Sequence, residues 1–287
     1  MRIATRGSAL ARWQADHVAA RLAVRGVPIE IVIVETRGDV DKSSPLHSIG
    51  GKGVFCKEVQ LAVLEGRADA AVHSAKDLPA LTPEGLTIAA IPRRGDPRDA
   101  LIGSTLFDLP AGASVATGSV RRRAQLAHHR PDLAFHELRG NIASRLDKAP
   151  GFDAIVMASA ALDRLGESVP ADRLPVETMV PQVGQAALAV ECRTDDEPTL
   201  QALSVLDDPA TSRCVRAERA FLRELGGDCS MPAAAHVRGD VDGPLVLLGF
   251  LATEALDQAR QLRLTGEDGE ALGADLARTL TAAVAGA

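Results

Sequence analysis

Chemically capable side chains follow a short apolar run in the stretch Asp69–Asp77 of this 287-residue chain. Residues 70–72 predict a buried strand. The polar residues that follow it are His73, Ser74, Lys76 and Asp77. In an open α/β sheet, ligands bind just beyond the carboxyl ends of the strands, so a carboxylate and an ammonium one residue apart form a candidate reaction centre there. On this stretch alone, a solvated surface loop is the simpler interpretation, because charged residues are mostly exposed.

Basic side chains lie at two predicted helix starts, where the backbone N–H groups already favour binding of an anion. Ser8 is a good N-cap for a helix predicted over 9–25, which places Arg6 beside backbone N–H groups that attract negative charge. A surface ion pair explains Arg6 equally well. The polar turn 117–119 precedes a second predicted helix, 120–129, which opens with three arginines. Cations at a helix start oppose the helix dipole, and such a conflict is expected at functional sites.

Basic and hydroxyl side chains recur at these strand ends and helix starts. They are Arg6, Ser8, Lys52, Ser74, Lys76, Thr117, Ser119, Arg121, Arg122, Arg139 and Arg145. Guanidinium groups bind carboxylates and phosphates through two hydrogen bonds, so we expect a ligand with several such groups. Among these cations Asp77 would stay ionised, suited to stabilise a cationic intermediate or to exchange a proton. Cys229, in a loop after a predicted helix, is either an ordinary free thiol or a nucleophilic or modified one.

The composition favours an ordinary globular core and disfavours binding to nucleic acid. The chain is 46% hydrophobic and 24% charged, and aromatic residues, which stack on unpaired bases, make up only 2%. Residues 1–150 carry 21 Lys and Arg against 16 Asp and Glu, a net +5, whereas residues 151–287 carry 11 against 22, a net −11. This asymmetry predicts a localised anion site rather than a nucleic-acid surface.

Segment patterns and cysteine spacing predict a cytoplasmic protein with no membrane partner. No apolar run approaches the roughly 18 residues that span a bilayer, and no signal-peptide pattern precedes the first predicted strand. The cysteines are Cys56, Cys192, Cys214 and Cys229. They have no Cys-x-x-Cys spacing, which favours free thiols in a reducing compartment over a disulfide framework or a zinc site. With no His-Glu-x-x-His either, we predict no metal.

The order of the predicted elements indicates two α/β domains around a cleft and a small α+β domain after them. Strands are predicted at 3–4, 29–34, 70–72, 86–91, 115–116, 133–137, 154–158 and 186–191, with helices at 9–25, 57–65 and 120–129. The strand at 186–191 is expected to return to the first domain. The third domain comprises a helix marked by residues 212–225, strands at 235–237, 245–251 and 261–264, and a helix from Ala271. The polar segment 41–53 predicts a functional lid or a disordered loop.

A series of short motifs runs along the chain in order. The motifs are residues 2–6 with Ser8, 36–39, 50–53, His73-Ser74 with Lys76-Asp77, 96–99, Arg121-Arg122, 139–141, 183–185, 191–193 and the loop that holds Cys229. Together they resemble the porphobilinogen deaminase (hydroxymethylbilane synthase) family, from the first residues into the third domain. Beyond about Gly239 the resemblance is weak.

This resemblance implies an enzyme that joins four porphobilinogen molecules head to tail, with loss of ammonia, into the linear tetrapyrrole hydroxymethylbilane. The implied primer is a dipyrromethane cofactor, bound covalently through a thioether to Cys229. The implied fold is α/β, with two periplasmic-binding-protein-like (type 2) α/β domains around a cleft plus a small α+β C-terminal domain. The corresponding boundaries are 1–92 with 186–205, 93–185 and 206–287, and a monomer is the family expectation.

The resemblance also implies a role for each matching residue. Asp77 matches the catalytic carboxylate, which would steady positive charge on the pyrrole nitrogen. The substrate-side positions match Arg6, Ser8, Arg139, Arg145 and Arg164. The cofactor-binding positions match Ser74, Lys76, Thr117, Ser119, Arg121, Arg122, Arg145 and Gln185. The mobile lid matches the segment with Lys52, Phe55 and Lys57. Each pyrrole carries acetate and propionate groups, which would account for the surplus of cations.

Three residues depart from the family pattern without deleting a reacting group. Gly118 stands where Ser is common, which removes a hydroxyl donor. Ala186 replaces a usual Gly after Gln185 and could crowd the backbone's approach to the cofactor. Asp228 precedes Cys229 where Gly is usual, and its negative charge should oppose thiolate formation and slow cofactor attachment.

Two other hypotheses fit parts of the pattern. A two-lobed binding protein for a polycarboxylate or phosphate ligand, without catalysis, would use the same cations but leaves the domain with Cys229 unexplained. A phosphate-ligand transferase would suit the arginine-rich helix starts, but the segment around Lys52 lacks the residues of a P-loop.

Overall fold

Contacts along the chain divide the protein into two units, described here from a computed structural model that covers residues 1–36, 56–227 and 231–286. Unit 1 comprises Met1–Arg94 and Ala187–Arg213, and unit 2 comprises Gly95–Ala186 and Cys214–Ala287. The three domain boundaries implied by the resemblance stay a prediction. Within the described residues, no helix has the length and apolar character needed to cross a bilayer.

Unit 1 is built on a five-stranded sheet. Its strands are β1 (Arg2–Arg6), β2 (Glu30–Val34), β3 (Ala70–Ser74), β4 (Leu86–Ala90) and β10 (Leu188–Arg193), in the spatial order β2-β1-β3-β10-β4. β1 runs parallel to β2 and β3, whereas β10 is antiparallel to both β3 and β4. The predicted returning strand is therefore confirmed, although it begins two residues later than expected.

Among the described residues, the helices of unit 1 are α1 (Ala9–Ala23), α2 (Lys57–Leu64) and α6 (Glu197–Ser204). Val18 and Leu22 of α1 pack with Ile3 in the core, as their helical spacing predicts. Leu10 and Trp13, at the same helical spacing, are only half-buried. The buried face of α1 instead includes Gln14, which is 3% exposed.

Unit 2 repeats this plan with a second five-stranded sheet. Its strands are β5 (Asp99–Ile102), β6 (Ser114–Ala116), β7 (Ala134–His136), β8 (Ala154–Ala158) and β9 (Ala171–Arg173), in the order β7-β6-β8-β5-β9. β6 is parallel to β7 and β8, and β5 is antiparallel to β8 and β9. As in unit 1, three parallel strands adjoin an antiparallel strand in the fourth place. The sequence analysis did not predict β5 or β9, which are only four and three residues long.

The helices that flank this second sheet position the polar residues of unit 2. They are α3 (Val120–His129), α4 (Ile142–Lys148) and α5 (Ser159–Leu165). Leu126 of α3 packs with Val115 and Val156 of the sheet in a buried core. The predicted bounds of α3 and β8 are confirmed to the residue.

The C-terminal part of the chain forms a three-stranded antiparallel sheet covered by a helix. The strands are β11 (Ala233–Arg238), β12 (Leu245–Ala252) and β13 (Ala259–Gly266), and the helices are α7 (Pro209–Glu224) and α8 (Gly269–Ala285). Gly249 allows α8 to approach closely, because a Cβ there would lie 2.6 Å from Cδ2 of Leu276. This sheet and the two α/β sheets confirm the predicted fold class.

Candidate functional site

The carboxyl end of β3 delivers the candidate reaction centre of unit 1. A short 3₁₀ turn, Ala75–Asp77, follows the strand directly and carries Lys76 and Asp77. The Ala75 N–H donates to the Ala187 carbonyl at 3.0 Å, which ties the start of this turn to the chain that enters β10. Ser74 Oγ accepts a hydrogen bond from Gln14 Nε2 at 2.9 Å. The turn is thus fixed on both sides rather than being a free surface loop.

A cavity of about 50 Å³ lies beside this turn. Four of the predicted site residues line it, namely Arg6, Ser8, Ser74 and Asp77. Ser8 also caps α1, as predicted, because its Oγ accepts from the Ala11 N–H at 3.3 Å. The structure therefore brings a carboxylate, a guanidinium and two hydroxyl groups to one cavity, a set that can bind a polar ligand and stabilise a cation.

The other residues that line the same cavity include Gln14, Cys56 and His73, to which the sequence analysis gave no role. Gln14 could have been found as a polar residue four positions from Leu10 and Val18 on the apolar stripe of α1. His73 could have been found as a polar residue inside a buried strand, where it is 5% exposed. The Cys56 thiol donates to the Asp77 carbonyl at 3.2 Å. No pattern in the sequence near Cys56 indicates that this thiol helps to hold the turn that carries Asp77.

A buried cluster around Asp99 is the centre of the predicted cofactor-binding residues in unit 2. Asp99 is the first residue of β5 and is fully buried. Its Oδ2 accepts from Arg121 Nη2 at 2.7 Å, and its Oδ1 accepts from Arg122 Nη2 at 2.8 Å. Gln185 Nε2 donates to the same Oδ1 at 3.0 Å. The motif 96–99 carried no predicted role for Asp99, yet this carboxylate holds three predicted site residues.

The two arginines also donate to backbone carbonyl groups, Arg121 to Val180 at 2.7 Å and Arg122 to Val156 at 3.0 Å. Asp99 therefore neutralises one of the two positive charges of Arg121 and Arg122, which explains in part how the fold tolerates cations at the start of α3. Burial raises the pKa of the Asp99 carboxyl, but the charges of Arg121 and Arg122 outweigh burial and lower that pKa to about 2.

Among the residues that the structure describes, two guanidinium groups of this cluster pair with a single carboxylate, which leaves one positive charge without a counter-charge. Arg121 Nε is buried and has no hydrogen-bond partner among the described residues. A buried excess of positive charge with an unpaired donor favours a nearby anion. The cluster is therefore suited to hold a carboxylate of a ligand.

The turn before α3 supplies further hydrogen-bonding groups. Ser119 caps α3, and its own N–H donates to Thr117 Oγ1 at 3.2 Å. Thr117 is buried and Ser119 is half-buried. Gly118 between them lies close to the Leu138 carbonyl, since a Cβ at this position would be 2.9 Å from that oxygen. The Leu138 backbone lies so close to Gly118 that the usual Ser would not fit at this position without a local shift.

The segment that carries Gln185 is held by contacts within unit 2. Ala186, at the departure noted above, has a left-handed φ of 67°, which glycine adopts more readily. Its carbonyl accepts from Arg164 Nη2 at 2.7 Å. The Gly184 N–H donates to the buried carboxylate Glu218 Oε2 at 2.8 Å. Arg164 and Gln185 are thereby positioned by backbone and buried side chains.

The remaining predicted residues have separate places. Arg139 is half-buried, and Arg145 of α4 donates through Nε to the Gly140 carbonyl at 2.7 Å. Lys57 is exposed at the start of α2. Lys52, Phe55, Asp228 and Cys229 lie outside the described residues. No group of three or more potential metal ligands occurs in the described part of the chain.

Comparison with known proteins gives consistent matches along the chain. A family model described as "Porphobilinogen deaminase, dipyromethane cofactor binding domain" matches residues 1–201. A second, "Porphobilinogen deaminase, C-terminal domain", matches residues 212–282. The likeness thus extends well past Gly239, and the expectation of only weak similarity there was wrong.

Relatives named porphobilinogen deaminase cover most of the chain. The protein from Syntrophus aciditrophicus is 50% identical over 251 residues, which are 84% of this chain and 82% of that protein. The protein from Acidithiobacillus ferrooxidans is 45% identical over 294 aligned positions, covering 98% and 94%. A periplasmic substrate-binding protein structure from Coxiella burnetii aligns at 18% identity and a TM-score of 0.44, covering 74% and 94%. The two family models and the identities over nearly the whole chain establish that this protein belongs to the porphobilinogen deaminase family.

Proposed function

We propose that this chain condenses four porphobilinogen molecules head to tail, with release of ammonia, to give hydroxymethylbilane. The observation that carries the proposal is the cavity at the end of β3, where Asp77 lies with Arg6, Ser8 and Ser74. Loss of ammonia leaves positive charge on the pyrrole unit, and a fixed carboxylate is the group that stabilises such charge. Arg6 and the two hydroxyl groups suit the acetate and propionate groups of the substrate.

In this proposal, Asp77 is the catalytic carboxylate, and Arg6, Ser8, Arg139, Arg145 and Arg164 bind substrate. Lys76 lies on the same 3₁₀ turn as Asp77 and would place its ammonium near a carboxylate of the bound pyrroles. The lid function of Lys52, Phe55 and Lys57 remains part of the proposal. The three domains keep the predicted boundaries of 1–92 with 186–205, 93–185 and 206–287.

The dipyrromethane would be attached by a thioether to Cys229 and held by Ser74, Lys76, Thr117, Ser119, Arg121, Arg122, Arg145 and Gln185. The chemistry of the donors around Asp99 fits this group, because that buried cluster carries one uncompensated positive charge and an unpaired Arg121 Nε. When bound, the dipyrromethane supplies the pyrrole carbon to which the first substrate is joined. Cys56, Cys192 and Cys214 are buried free thiols. They support a reducing, cytoplasmic location, where we expect a monomer.

The test is turnover in Asp77→Asn, measured as ammonia released per molecule of cofactor-loaded enzyme. We expect a fall of about 100-fold or more, because this charge acts on the reacting centre, while the dipyrromethane stays attached. Asp69→Asn is the matched control, since Asp69 lies at the opposite end of β3 and pairs with Arg2 at 2.7 Å. Near-normal turnover in Asp77→Asn would contradict the assigned role. A protein that binds porphobilinogen but never consumes it would favour the binding-protein hypothesis.

A further inference from the structure

A buried histidine–glutamate pair lies behind the cavity of unit 1. His73 belongs to β3 and faces Ala189 in the register of β10, and Glu191 lies two residues farther along β10. Alternate residues of a strand project from the same face, so Glu191 and Ala189 share a face. His73 Nε2 is 3.1 Å from Glu191 Oε2, and the two side chains are 4% and 1% exposed.

The carboxylate of this pair is only partly satisfied. Gln60 Nε2 of α2 donates to Glu191 Oε2 at 2.8 Å, the same oxygen that contacts His73. Glu191 Oε1 is buried and has no hydrogen-bond partner among the described residues. Burial of a carboxylate oxygen without a partner costs stability. A purely structural role would be better served by an apolar pair, so this arrangement indicates a functional use of the negative charge.

His73 connects this carboxylate to the reaction centre, because it lines the same cavity as Asp77. The cavity has room for a small polar group. The aminomethyl group of porphobilinogen is such a group, and the cavity presents it to both Asp77 and His73. Arg6, Asp77 and Cys56 are the other ionisable residues that line the cavity.

We propose that His73 supplies the proton of the leaving amine, with Glu191 as the residue that positions it. This role rests on the proposed function. The amine is bound in its neutral form, and the His73 imidazolium gives its proton to the amine nitrogen. The C–N bond breaks, its electron pair leaves with nitrogen as ammonia, and the methylene carbon keeps the positive charge that Asp77 stabilises. The proton that the α-carbon of the terminal pyrrole loses, once the new C–C bond has formed, restores the imidazolium.

Glu191 has a defined task in this sequence of steps. While His73 holds the proton it is a buried cation, and the carboxylate 3.1 Å from its Nε2 offsets that charge. Gln60 fixes the carboxylate oxygen that does so. Loss of Glu191 should therefore weaken turnover only where His73 is present.

The first test is His73→Gln, whose amide N–H can donate to Glu191 but cannot carry a proton between groups. We expect kcat to fall about 100-fold, the lower range for loss of a general acid–base group, with KM within about threefold. His236→Asn is the matched control. His236 and Glu218 form a second buried pair, with Nδ1 and Oε1 3.3 Å apart, in unit 2. The control should lose stability at most and keep its kcat.

The second test places Glu191→Gln in both backgrounds. In the parent enzyme we expect kcat to fall about tenfold, whereas in His73→Gln we expect no further loss, because groups that act as a unit are not additive. An equal loss in both backgrounds would indicate a structural role and overturn the proposal. Turnover is expressed per bound dipyrromethane, and thermal unfolding checks that each variant is folded.

Different results would overturn the proposed function and the proposed role of His73. If the parent enzyme releases no ammonia from porphobilinogen, the proposed function fails. If the parent releases ammonia and His73→Gln keeps kcat within threefold, only the role of His73 is overturned. Should His73→Gln not fold, an unchanged kcat in Glu191→Gln overturns it by itself.

Discussion

Replacement of Asp99 by Asn should destabilise unit 2 far more than its single altered atom suggests. The change removes the only negative charge, in the part of the chain that the structure describes, that pairs with Arg121 and Arg122 in their buried cluster. It also puts an NH₂ group in place of one of the two accepting oxygens. These are Oδ2, which accepts from Arg121 Nη2 at 2.7 Å, and Oδ1, which accepts from Arg122 Nη2 at 2.8 Å. Two buried guanidinium groups would then lack a counter-charge.

The size of the effect follows from the burial of all three side chains. Removal of one partner from a buried ion pair costs about 3–5 kcal/mol in the free energy of unfolding. For a unit of this size each kcal/mol lowers Tm by about 2–4 °C, so we expect a fall of about 6–20 °C. Asp132→Asn is the matched control. Its carboxylate pairs with Arg130 at 2.7 Å but is far more exposed, and exposed pairs contribute little.

The pH dependence of the difference in Tm between the parent and Asp99→Asn tests the same prediction a second time. The native pKa of Asp99 is about 2, below the ordinary value of 3.8. A carboxylate with a lowered pKa stabilises the native state above the unfolded-state pKa, and this contribution is lost as pH falls through the native one. Differential scanning calorimetry should therefore show a constant difference in Tm between the parent and Asp99→Asn from pH 7 to about pH 4. That difference should shrink as the pH approaches 2.

Two results would refute this reasoning. One is a Tm for Asp99→Asn as close to the parent as that of the Asp132→Asn control. The other is a difference in Tm that grows as pH falls below 4. Either would mean that the charge of Asp99 is not what holds the two arginines in place.

Other substitutions test separate contacts. Glu218→Gln should lower the free energy of unfolding, measured by urea titration, by about 1–3 kcal/mol. The reason is that one amide oxygen cannot replace the two carboxylate oxygens that accept from the Gly184 and Val237 N–H groups. An unchanged urea midpoint would contradict this. Ala186→Gly should leave Tm unchanged or raise it, since φ is 67° there, and a clear fall would argue against the strain. Gly118→Ser should lower Tm, because its Cβ would lie 2.9 Å from the Leu138 carbonyl, and an unchanged Tm would contradict this. Burial raises the pKa of the Cys192 thiol to about 11, so peptide mapping should find it unalkylated in the native protein at pH 8 and alkylated after unfolding.

Hydrophobic and capping patterns were sufficient to predict much of the framework. The apolar run at 70–72 and the polar residues after it located a strand end that the structure places at a cavity. Ser8 predicted the start of α1, because a cap is a local interaction between a side chain and the next turn, and the polar turn 117–119 predicted the start of α3. The strand predicted at 186–191 corresponds to β10, which begins two residues later.

Long-range polar contacts could not be predicted in the same way. Asp99 meets Arg121 and Arg122 across more than twenty residues, and nothing local to any of the three indicates the pairing. Their cluster at a helix start was attributed to ligand binding alone, whereas part of the charge is balanced inside the protein. β5 and β9 were missed because strands of four and three residues are too short to show a periodic pattern. Residues such as Glu191 gain a role only when the sheet pairs them with His73.

The central claim is a covalent pyrrole primer on Cys229 that grows by condensation of porphobilinogen. The direct measurement is the intact mass of the purified protein beside Cys229→Ser, before and after incubation with porphobilinogen. The account predicts a surplus equal to two deaminated pyrrole units in the parent, absent from Cys229→Ser. A parent protein that keeps the bare polypeptide mass after incubation, or a surplus that persists in Cys229→Ser, would contradict it.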